Sequence, residues 1–302
     1  MHEALDLTTL RVVIAVADSG SISAGSQRAN LALGAASARI AALEASLGVA
    51  LFERSSRGVR ITPAGHVLVQ RGRELLADAD RLAVDLRDLA LGLQGSVRVL
   101  ANASAMLEIL PQRLAAFGRT HPLIRLELEE RNSPDIPLSL LDGRADLGIV
   151  DIAHPLQGLR FRDLFSDTLV LVVPQGHALA GHAGVRFEAL LDQDFVGLID
   201  GNAISGRLTA AALALGQTLR IRMQMRSFDA VCRMVAAGLG VGVLPVQAIA
   251  PQLAGLPITA VPLDEPWACR THRLVTREAG ALAPPAQALL QALLQDLQTL
   301  LR

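Results

Sequence analysis

Apolar residues near the start of the chain recur every three or four positions, which is the spacing of one helix face. The first such face consists of Leu7, Leu10, Ile14 and Ala17. Asp6 precedes it with a side chain that can cap a helix. Ser21 or Ser23 can cap a second, shorter helix that reaches Ala29. The pattern therefore predicts two helices separated by a tight turn.

A third helix is predicted from Leu33 to Leu47, with Gly48 as its stop. Its apolar positions are Ile40, Leu43 and Leu47. The residues of the other face are small: Gly34, Ser37, Ala38 and Ala41. Small residues let a helix backbone lie close to base edges and phosphates. They suit packing against another helix equally well, so this face alone leaves the two interpretations even.

Two short strand-like runs, at 51–54 and 59–61, follow the third helix. Residues 55–58 turn between them, and Arg54, Arg57 and Arg60 recur within the hairpin. Several guanidinium groups near one hairpin tip suit contact with phosphates or with the minor groove. A solvated charged turn is the alternative for this hairpin taken alone. Together with the helices before it, the hairpin predicts a winged helix-turn-helix.

A long amphipathic helix is predicted to begin at Thr62 and Pro63, a hydroxyl cap followed by a proline in the first turn. Its apolar positions alternate in steps of four and three residues: Leu68, Gly72, Leu75, Ala79, Leu82, Leu86, Leu89 and Leu93. Such a heptad seam favours pairing with a second helix, and Leu68, Leu75, Leu82, Leu86 and Leu89 are the predicted dimer contacts. A single helix that lies on its own domain is the alternative.

Beyond residue 96 the pattern changes to alternating strands and helices. Predicted strands are 97–101, 124–129, 145–150, 168–173, 195–199, 220–225 and 241–244. Predicted helices are 105–118, 137–142, 203–215, 228–237 and 284–301. This alternation predicts an α/β fold with mostly parallel sheets.

Composition changes this picture little. The chain has 302 residues and a formal net charge of −1, so charge alone does not point to nucleic acid. The N-terminus lacks the features of a signal peptide, and prolines interrupt the longest uncharged run. We therefore expect a cytoplasmic protein with no membrane segment. Cys232 and Cys269 make neither a disulfide framework nor a zinc site, and we expect free buried thiols.

The N-terminal part resembles the DNA-binding domain of LysR-type transcriptional regulators. The matching positions are Ser21, Ala24, Ala29, Ser37, Ile40, Leu43, Glu44, Leu47, Gly48, Leu51, Phe52, Arg54, Arg57, Gly58, Thr62, Pro63, Ala64 and Gly65. The resemblance implies that Glu44 and Arg54 form an ion pair between the third helix and the wing. The family often begins its third helix with Ser-Gln, where this chain has Ala32, Leu33 and Gly34.

That departure leaves Ser37 and Arg39 as the main candidates for reading bases with side chains. Specificity is then expected to depend on the wing arginines, on DNA shape and on the spacing of paired half-sites. The predicted DNA-binding residues are Ser21, Ser23, Leu33, Gly34, Ser37, Ala38, Arg39, Arg54, Arg57 and Arg60.

The C-terminal part is similar to the effector domain of the same family, which has the type 2 periplasmic-binding-protein fold. The best-matching segments are 143–149 and 238–245. The resemblance implies a DNA-binding domain at 1–63, a linker helix at 64–93 and an effector domain at 94–302. It further implies two subdomains, one formed by 94–164 with 266–302 and the other by 165–265. The chain would cross between them near residues 163–165 and 262–267.

In open α/β sheets a ligand binds at the carboxyl ends of strands, near helix N-termini. The predicted effector-binding residues at such places are Asn102, Ala103, Ser104, Asp151, Gly201, Asn202, Ala203, Ile204, Ser227 and Phe228. Ser104 and Ser227 could instead cap helices, and Arg207 is expected at the surface rather than as a carboxylate clamp. The expected effector is an organic acid, an amino acid or an aromatic molecule, with its charge undecided.

No catalytic residues, metal site or cofactor are predicted. The histidines lack metal-ligand spacing, and the glycines at 238, 240 and 242 precede a strand, whereas a dinucleotide motif follows one. We expect a sequence-specific regulator that binds promoter DNA and RNA polymerase as a homodimer, assembling to a homotetramer. The alternatives are a solute-binding protein and a LysR-type regulator without a functional effector site.

Overall fold

The computed structural model describes residues 5–55, 58–90, 94–152 and 156–295, apart from the side chains of Arg54, Ser55 and Asp85. The chain divides into two compact units. One is Met1–Gly92 with Leu141–Arg144, and the other is Leu93–Leu140 with Ala145–Arg302. The predicted boundaries at residues 63 and 93 remain a prediction.

The first unit consists of helices and one hairpin. Its elements are α1 (Leu7–Ser19), α2 (Ile22–Arg28), α3 (Leu33–Leu47), β1 (Phe52–Ser55), β2 (Gly58–Ile61) and α4 (Pro63–Ala90). The caps are those that the sequence predicts. Asp6 Oδ1 accepts the Thr9 N–H at 2.6 Å, Ser21 caps α2, and Gly48 ends α3 with φ 71°.

The core of this unit is formed where α1, α2, α3 and the hairpin meet. Its fully buried side chains include Val12, Val13, Val16, Ile40 and Leu43. The α1–α2 crossing is close because Gly25 has no Cβ, and a Cβ there would come within 2.6 Å of the Val16 backbone. The predicted winged helix-turn-helix is therefore present as an all-α module with a two-stranded wing.

The second unit is α/β. Its helices are α5 (Ala103–Glu108), α6 (Leu110–Thr120), α7 (Ile136–Leu141), α8 (Ala203–Ala214), α9 (Phe228–Ala236), α10 (Ala250–Gly255) and α11 (Pro284–Gln295). Its strands are β3 (Ser96–Ala101), β4 (Arg125–Glu130), β5 (Leu147–Val150), β6 (Leu159–Pro174), β7 (Asp194–Leu198), β8 (Arg220–Met225), β9 (Gly242–Pro245), β10 (Ile258–Pro262) and β11 (Cys269–Arg277). Short 3-10 turns lie at Phe187–Leu190 and Pro266–Ala268.

Seven strands form one sheet in the order β10-β6-β11-β5-β3-β4, with β9 also paired to β6. β3 pairs in parallel with β4 and β5, and β7 pairs in parallel with β8 in a separate sheet. β6 and β11 run antiparallel to all their partners. The α/β class is confirmed, but the expectation of mostly parallel sheets is wrong because β6, β9, β10 and β11 pair antiparallel.

This unit contains two hydrophobic cores. We call the first lobe the part built on β3, β4, β5, α5, α6 and α11, and the second lobe the part built on β7, β8, β9, β10, α8 and α9. β6 passes from one core to the other, since Leu164 belongs to the first and Leu169 to the second. The return passes between Ala268 in the second core and Leu274 in the first.

Several predicted elements differ in detail. The single helix expected at 105–118 is two helices, α5 and α6, because Pro111 lacks an N–H and occupies the first turn of α6. The strands β10 and β11 and the first half of β6 were not predicted. Residues 296–301 of the expected C-terminal helix lie outside the described residues.

Candidate nucleic-acid interface and effector cleft

The exposed face of α3 carries the predicted small residues. Leu33, Gly34 and Ala38 are exposed, and Ser37 is half-buried. Ser23 is exposed on α2, whereas the Ser21 hydroxyl is engaged as a helix cap, accepting the Ala24 N–H at 3.4 Å. Ala32 precedes α3 without a side-chain oxygen to cap it. The face is thus smooth and short of hydrogen-bonding side chains, as the sequence indicates.

Arg39 contacts the first helix of its own module. Its Nη1 lies 2.9 Å from Asp6 Oδ2 and 3.1 Å from the Thr9 hydroxyl. The Thr9 N–H, together with Arg39, lowers the pKa of the Asp6 carboxyl. In the structure Arg39 braces α3 to the start of α1, and its predicted role in reading bases stays a prediction.

The wing is fixed to the helices through its backbone. Val59 N–H donates to Gly20 O at 3.0 Å, and the Glu44 carboxylate accepts the N–H groups of Leu51 and Phe52 at 2.7 and 3.1 Å. Glu44 therefore braces α3 to the wing through backbone amides. The side chain of Arg54, the predicted partner of Glu44, lies outside the described residues. The whole of Arg57 lies outside them too.

Arg60 is exposed on β2, directly across the hairpin from Glu53. Its guanidinium is therefore available at the surface of the wing. Its contact with DNA stays a prediction.

The linker helix α4 has two different apolar faces. Leu68, Val69 and Gly72 lie against the core of the same module, and a Cβ at residue 72 would meet Leu10 at 3.1 Å. The other four predicted dimer contacts are exposed: Leu75 at 52%, Leu82 at 61%, Leu86 at 60% and Leu89 at 69%. Of the other seam positions, Ala79 is half-buried and Leu93 lies outside the described residues. Leu68 is thus half-buried in its own domain, and the unpaired seam begins at Leu75.

Seven of the predicted effector-binding residues line one cleft in the second unit. They are Asn102, Ala103, Ser104, Asn202, Ala203, Ile204 and Phe228. Glu130, Asn132, Ser133 and Arg270 complete the lining. The cleft has a volume of about 20 Å³, which is room for roughly one ordered water. It lies between the N-termini of α5 in the first lobe and of α8 and α9 in the second.

Three predicted residues do not line this cleft. Ser227 caps α9 by accepting the Ala230 N–H at 3.2 Å. Gly201 stands beside the cleft with φ 85° and faces the Asn132 amide. Asp151 is buried in an ion-pair network. The Ser104 hydroxyl is not a helix cap, since Asn102 Oδ1 caps α5 by accepting the Ala105 N–H at 3.0 Å.

The network below the cleft centres on Arg270 of β11. Its Nε donates to Asp167 Oδ1 at 2.7 Å, and a second bond from Nη2 reaches Asp167 Oδ2. Nη1 donates to Asp151 at 3.3 Å and Nη2 to the Ser104 hydroxyl at 2.9 Å. Burial alone would raise the pKa of Asp167, but His272 and Arg270 outweigh it and lower that pKa. Two buried carboxylates thus neutralise the guanidinium.

The helix cap at Asn102 also determines which group faces the His272 ring. Because Asn102 Oδ1 caps α5, the Asn102 amide nitrogen must face the His272 ring and donate to Nδ1 at 3.1 Å. Nε2 lies 3.0 Å from Asp167 Oδ2. Phe165 stacks on the ring with centroids 4.3 Å apart. The ring is therefore held between Asn102, Phe165 and Asp167.

Two more ionisable groups border the network. Burial, followed by the negative charge of Asp167, raises the pKa of Glu108 on α5 to about 7. Arg207, expected at the surface, is half-buried on α8 and donates to both oxygens of Asp151, with Nε to Oδ2 at 3.3 Å. It does clamp a carboxylate, but that carboxylate belongs to the protein itself.

Sequence reasoning missed Arg270, Asp167 and His272 because they interrupt the apolar pattern of their strands. In β11, Arg270, His272 and Leu274 alternate inward and are all buried. Polar side chains at two inward positions, Arg270 and His272, hid the strand. The remaining signal was the alternation itself, which continues as Leu274 and Thr276.

The family follows from comparison over both units. Residues 7–66 match the description "Bacterial regulatory helix-turn-helix protein, lysR family", and residues 90–298 match "LysR substrate binding domain". The chain belongs to the LysR family. As a LysR-type transcriptional regulator it combines a DNA-binding module with an effector-binding domain, as the resemblance of its sequence implies.

Relatives of this LysR-type chain cover nearly all of its length. The HTH-type transcriptional regulator Mb2303c of Mycobacterium bovis is 31% identical over 94% of this chain and 93% of the relative. The solved structure of CbnR, a LysR family transcriptional regulator, has a TM-score of 0.63 at 20% identity and covers 96% of this chain and 99% of that chain. CbnR complexed with its target DNA has a TM-score of 0.54 at 21% identity, with the same coverage.

The regulatory domain of CcmR from Synechocystis PCC6803, in complex with 2-PG, covers 67% of this chain and 97% of that chain. Its TM-score is 0.62 at 23% identity. The solved structures, all below 25% identity, show that this LysR-type chain shares their fold.

Other kinds of site were sought in the described part of this LysR-type regulator. Within it, no group of three or more His, Cys, Asp or Glu could hold a metal ion. No helix in the described ranges is long and apolar enough to cross a membrane. Burial, followed by Asp229, raises the pKa of the Cys232 thiol to about 11, whereas Cys269 is exposed. The expectation of two buried thiols is therefore wrong for Cys269, which begins β11.

Proposed function

We propose that this regulator binds double-stranded promoter DNA through α3 and the wing, with two copies paired along α4. The observation that carries the proposal is the heptad of exposed leucines on α4, which continues directly from a folded winged helix-turn-helix. Pairing along that seam would present two α3 faces to successive half-sites of one operator. The dimer is proposed to assemble to a homotetramer and to contact RNA polymerase.

DNA contact is proposed for Ser21, Ser23, Leu33, Gly34, Ser37, Ala38, Arg39, Arg54, Arg57 and Arg60. The solved complex of CbnR with its target DNA supports the general docking, since that protein shares this fold. The wing supplies phosphate contacts, and the smooth face of α3 supplies close approach without many base-specific hydrogen bonds. We therefore expect specificity to depend on half-site spacing and DNA shape.

We further propose that a small molecule binds in the cleft at Asn102, Ala103, Ser104, Asn202, Ala203, Ile204 and Phe228. The side-chain amides of Asn132 and Asn202 in the lining offer donors to a polar ligand. The proposed effector is an organic acid, an amino acid or an aromatic molecule. The CcmR domain, which shares this fold, was solved in complex with 2-PG, and this supports binding of a small molecule by such a domain. Binding would favour one arrangement of the paired DNA-binding modules by differential affinity.

We propose that the protein acts in the cytoplasm and has no catalytic role. A solute-binding protein would have no use for the winged module. A regulator whose effector site is not functional stays an alternative, and a ligand screen separates the two. Stabilisation by any member of a panel of carboxylates and amino acids would support the cleft, since a ligand at about 100 times its Kd adds about 2.7 kcal/mol.

The test of DNA binding is footprinting of the purified full-length protein on genomic DNA. We expect protected sites with two half-sites whose centres lie on one face of the duplex. Arg57→Ala and Arg60→Ala, titrated against salt, should each weaken binding and reduce the salt slope by about one. Absence of any protected site would refute the proposal, and an unchanged salt slope would refute the role of the wing.

A further inference from the structure

We propose that Arg207 and Asp151 form a latch across the effector cleft, holding the two lobes of the effector domain together before any effector binds. The pair joins the lobes directly, since Asp151 follows β5 of the first lobe and Arg207 lies on α8 of the second. The regulatory meaning of the latch rests on the proposed effector site. Its existence does not, because the contact is made by the protein alone.

The contact has the geometry of a strong ion pair. Two guanidinium nitrogens of Arg207 reach the two carboxylate oxygens of Asp151, with Nε 3.3 Å from Oδ2 and Nη2 bonded to Oδ1. Such a fork is stronger and more directional than a single hydrogen bond. The Asp151 side chain is 2% exposed and the Arg207 side chain 27% exposed. Water therefore reaches the arginine end while the carboxylate stays buried.

Each end of the pair is fixed in its own lobe. Asp151 donates its N–H to the Ser133 hydroxyl at 2.9 Å, which holds the start of its loop in place. Arg207 stands between Ile204 and Leu208, both buried in the core of the second lobe. Because these neighbours anchor α8, the backbone of Arg207 can move away from Asp151 only if the second lobe moves with it. Separation of the lobes therefore requires rupture of the pair.

Rupture does not leave a buried charge alone. Asp151 Oδ2 also accepts a bond from Arg270 Nη1 at 3.3 Å, and that bond lies within the hinge and the first lobe. In the closed state Asp151 is shared between two arginines, and in the open state it keeps Arg270 while water solvates Arg207. A buried carboxylate that lost all its partners would oppose opening strongly. The second arginine thus makes the latch reversible.

The latch would set how often the cleft opens. The cleft in this structure has room for roughly one water, so a metabolite would need the lobes to move apart before it could bind between them. Effector affinity then depends on the open population, and weakening the pair raises that population. The lobes would also move more independently, which loosens the coupling between effector and DNA.

Hydrogen exchange of the full-length protein tests the latch without any effector. Arg207→Gln removes the fork while keeping length and polarity. We expect amides at 102–108 and 130–135 of the first lobe, far from the substituted residue in sequence, to exchange about tenfold faster, as loss of one charge-assisted contact would give. Arg233→Gln is the matched control. It breaks the 2.8 Å Arg233–Asp229 ion pair, which lies within the second lobe and does not join the two lobes.

A double-mutant comparison decides whether the two residues act together. Asp151→Asn should also speed exchange, and Arg207→Gln should add little in that background if the contact is direct. Equal exchange in Arg207→Gln and Arg233→Gln would overturn the latch. A rise in exchange rate over all segments, together with a lower urea midpoint, would also overturn the latch, because that pattern indicates a fold that is weakened as a whole. Neither result would affect the footprinting or ligand tests, so failure of the latch is distinct from failure of the proposed function.

Discussion

The two units of this regulator use arginine in opposite ways. In the DNA-binding module, Arg39 pairs with Asp6, and their side chains are 40% and 46% exposed. In the effector domain, Arg270 pairs with Asp167, and their side chains are 2% and 0% exposed. An exposed pair contributes little because water and salt screen it, whereas a buried one tolerates the loss of neither partner. The first unit therefore has adjustable surface charge, and the second has charge on which its structure depends.

This difference explains where each unit can change. Surface charge around α3 and the wing can be altered residue by residue to suit another operator. The charges at the hinge between the lobes are interdependent, since Arg270 contacts Asp167, Asp151 and Ser104 at once. We infer that effector recognition changes at the rim of the cleft, for example at Glu130 or Asn132, while the network below it stays intact.

The largest effect is expected from breaking the buried arginine–aspartate pairs of the effector domain. Arg270→Met should lower the free energy of unfolding by about 3–5 kcal/mol, because it leaves two buried aspartates without their shared cation. Urea unfolding followed by circular dichroism measures this. Arg273→Gln is the control on the same strand, since its partner Asp163 is 74% exposed and stays solvated when the pair is lost, and it should cost less than about 1 kcal/mol.

Equal losses in the two variants would contradict the distinction between buried and exposed arginine pairs. Arg270→Lys sharpens the test. A lysine keeps the positive charge but cannot bond Asp167, Asp151 and Ser104 in one plane. It should therefore restore only part of the lost stability.

The next largest effect concerns the apolar seam of α4. Leu82→Glu should weaken dimerisation, because it places a charge in the predicted helix interface, and operator affinity should fall by about 100-fold with it. Sedimentation velocity and binding titration measure the two. Gln70→Glu adds the same charge at an exposed position on the opposite side of the helix from the seam and should leave both unchanged. A dimeric Leu82→Glu protein would contradict pairing along α4.

The sequence predicts the first unit better than the second, and the reason is physical. The bounds of α3, its stop at Gly48 and the Asp6 cap follow from local spacing and capping, which a single stretch of chain contains. The strand β11 and the first half of β6 depend on pairing between residues about 100 positions apart, such as Arg270 with Asp167. No local pattern reveals that two charged, inward positions will meet and neutralise each other.

The effector cleft shows the same division. Asn102, Ala203 and Phe228 were located from the general rule for helix N-termini at strand ends, and the structure brings them together. Arg270 and Ser133 were missed because they come from β11 and from a loop that no rule singles out. Asp151 was placed in the right region, but its side chain is held by arginines, which only the packed structure shows.

A smaller, pH-dependent effect is expected at Glu108. Its pKa in the folded protein is about 7, above the ordinary value of 4.5, because of burial and then the charge of Asp167. Its Oε1 is buried without a hydrogen-bond partner in the described part of the chain. The folded state therefore binds the proton more tightly than the unfolded chain. The stability it contributes is complete below pH 4.5 and is lost as the pH rises through 7.

Glu108→Gln, which is neutral at all pH values, should therefore be more stable than the unsubstituted protein at pH 8 by about 1–2 kcal/mol. At pH 4.5 the two should be nearly equal. Urea midpoints between pH 4.5 and pH 8 measure the difference. Glu129→Gln, which affects an exposed pair with Arg131, should show no such trend. A constant difference over this range would mean that folding does not raise the pKa of Glu108.

The smallest effect tests whether surface charge at α3 braces the module or reads DNA. Arg39→Ala should reduce stability by less than about 1 kcal/mol, since the pair with Asp6 is exposed. If Arg39 only braces, Asp6→Asn, which keeps the capping oxygen but removes the charge, should change operator affinity as little as Arg39→Ala does. If Arg39 instead contacts DNA, Asp6→Asn should release the Arg39 guanidinium from its ion pair and tighten operator binding. Arg39→Ala should then weaken operator binding and lower the salt slope by about one. Changes of opposite sign in operator affinity for the two variants would therefore indicate that Arg39 contacts DNA. Changes of equal sign would indicate that the smooth face of α3 is recognised by its shape.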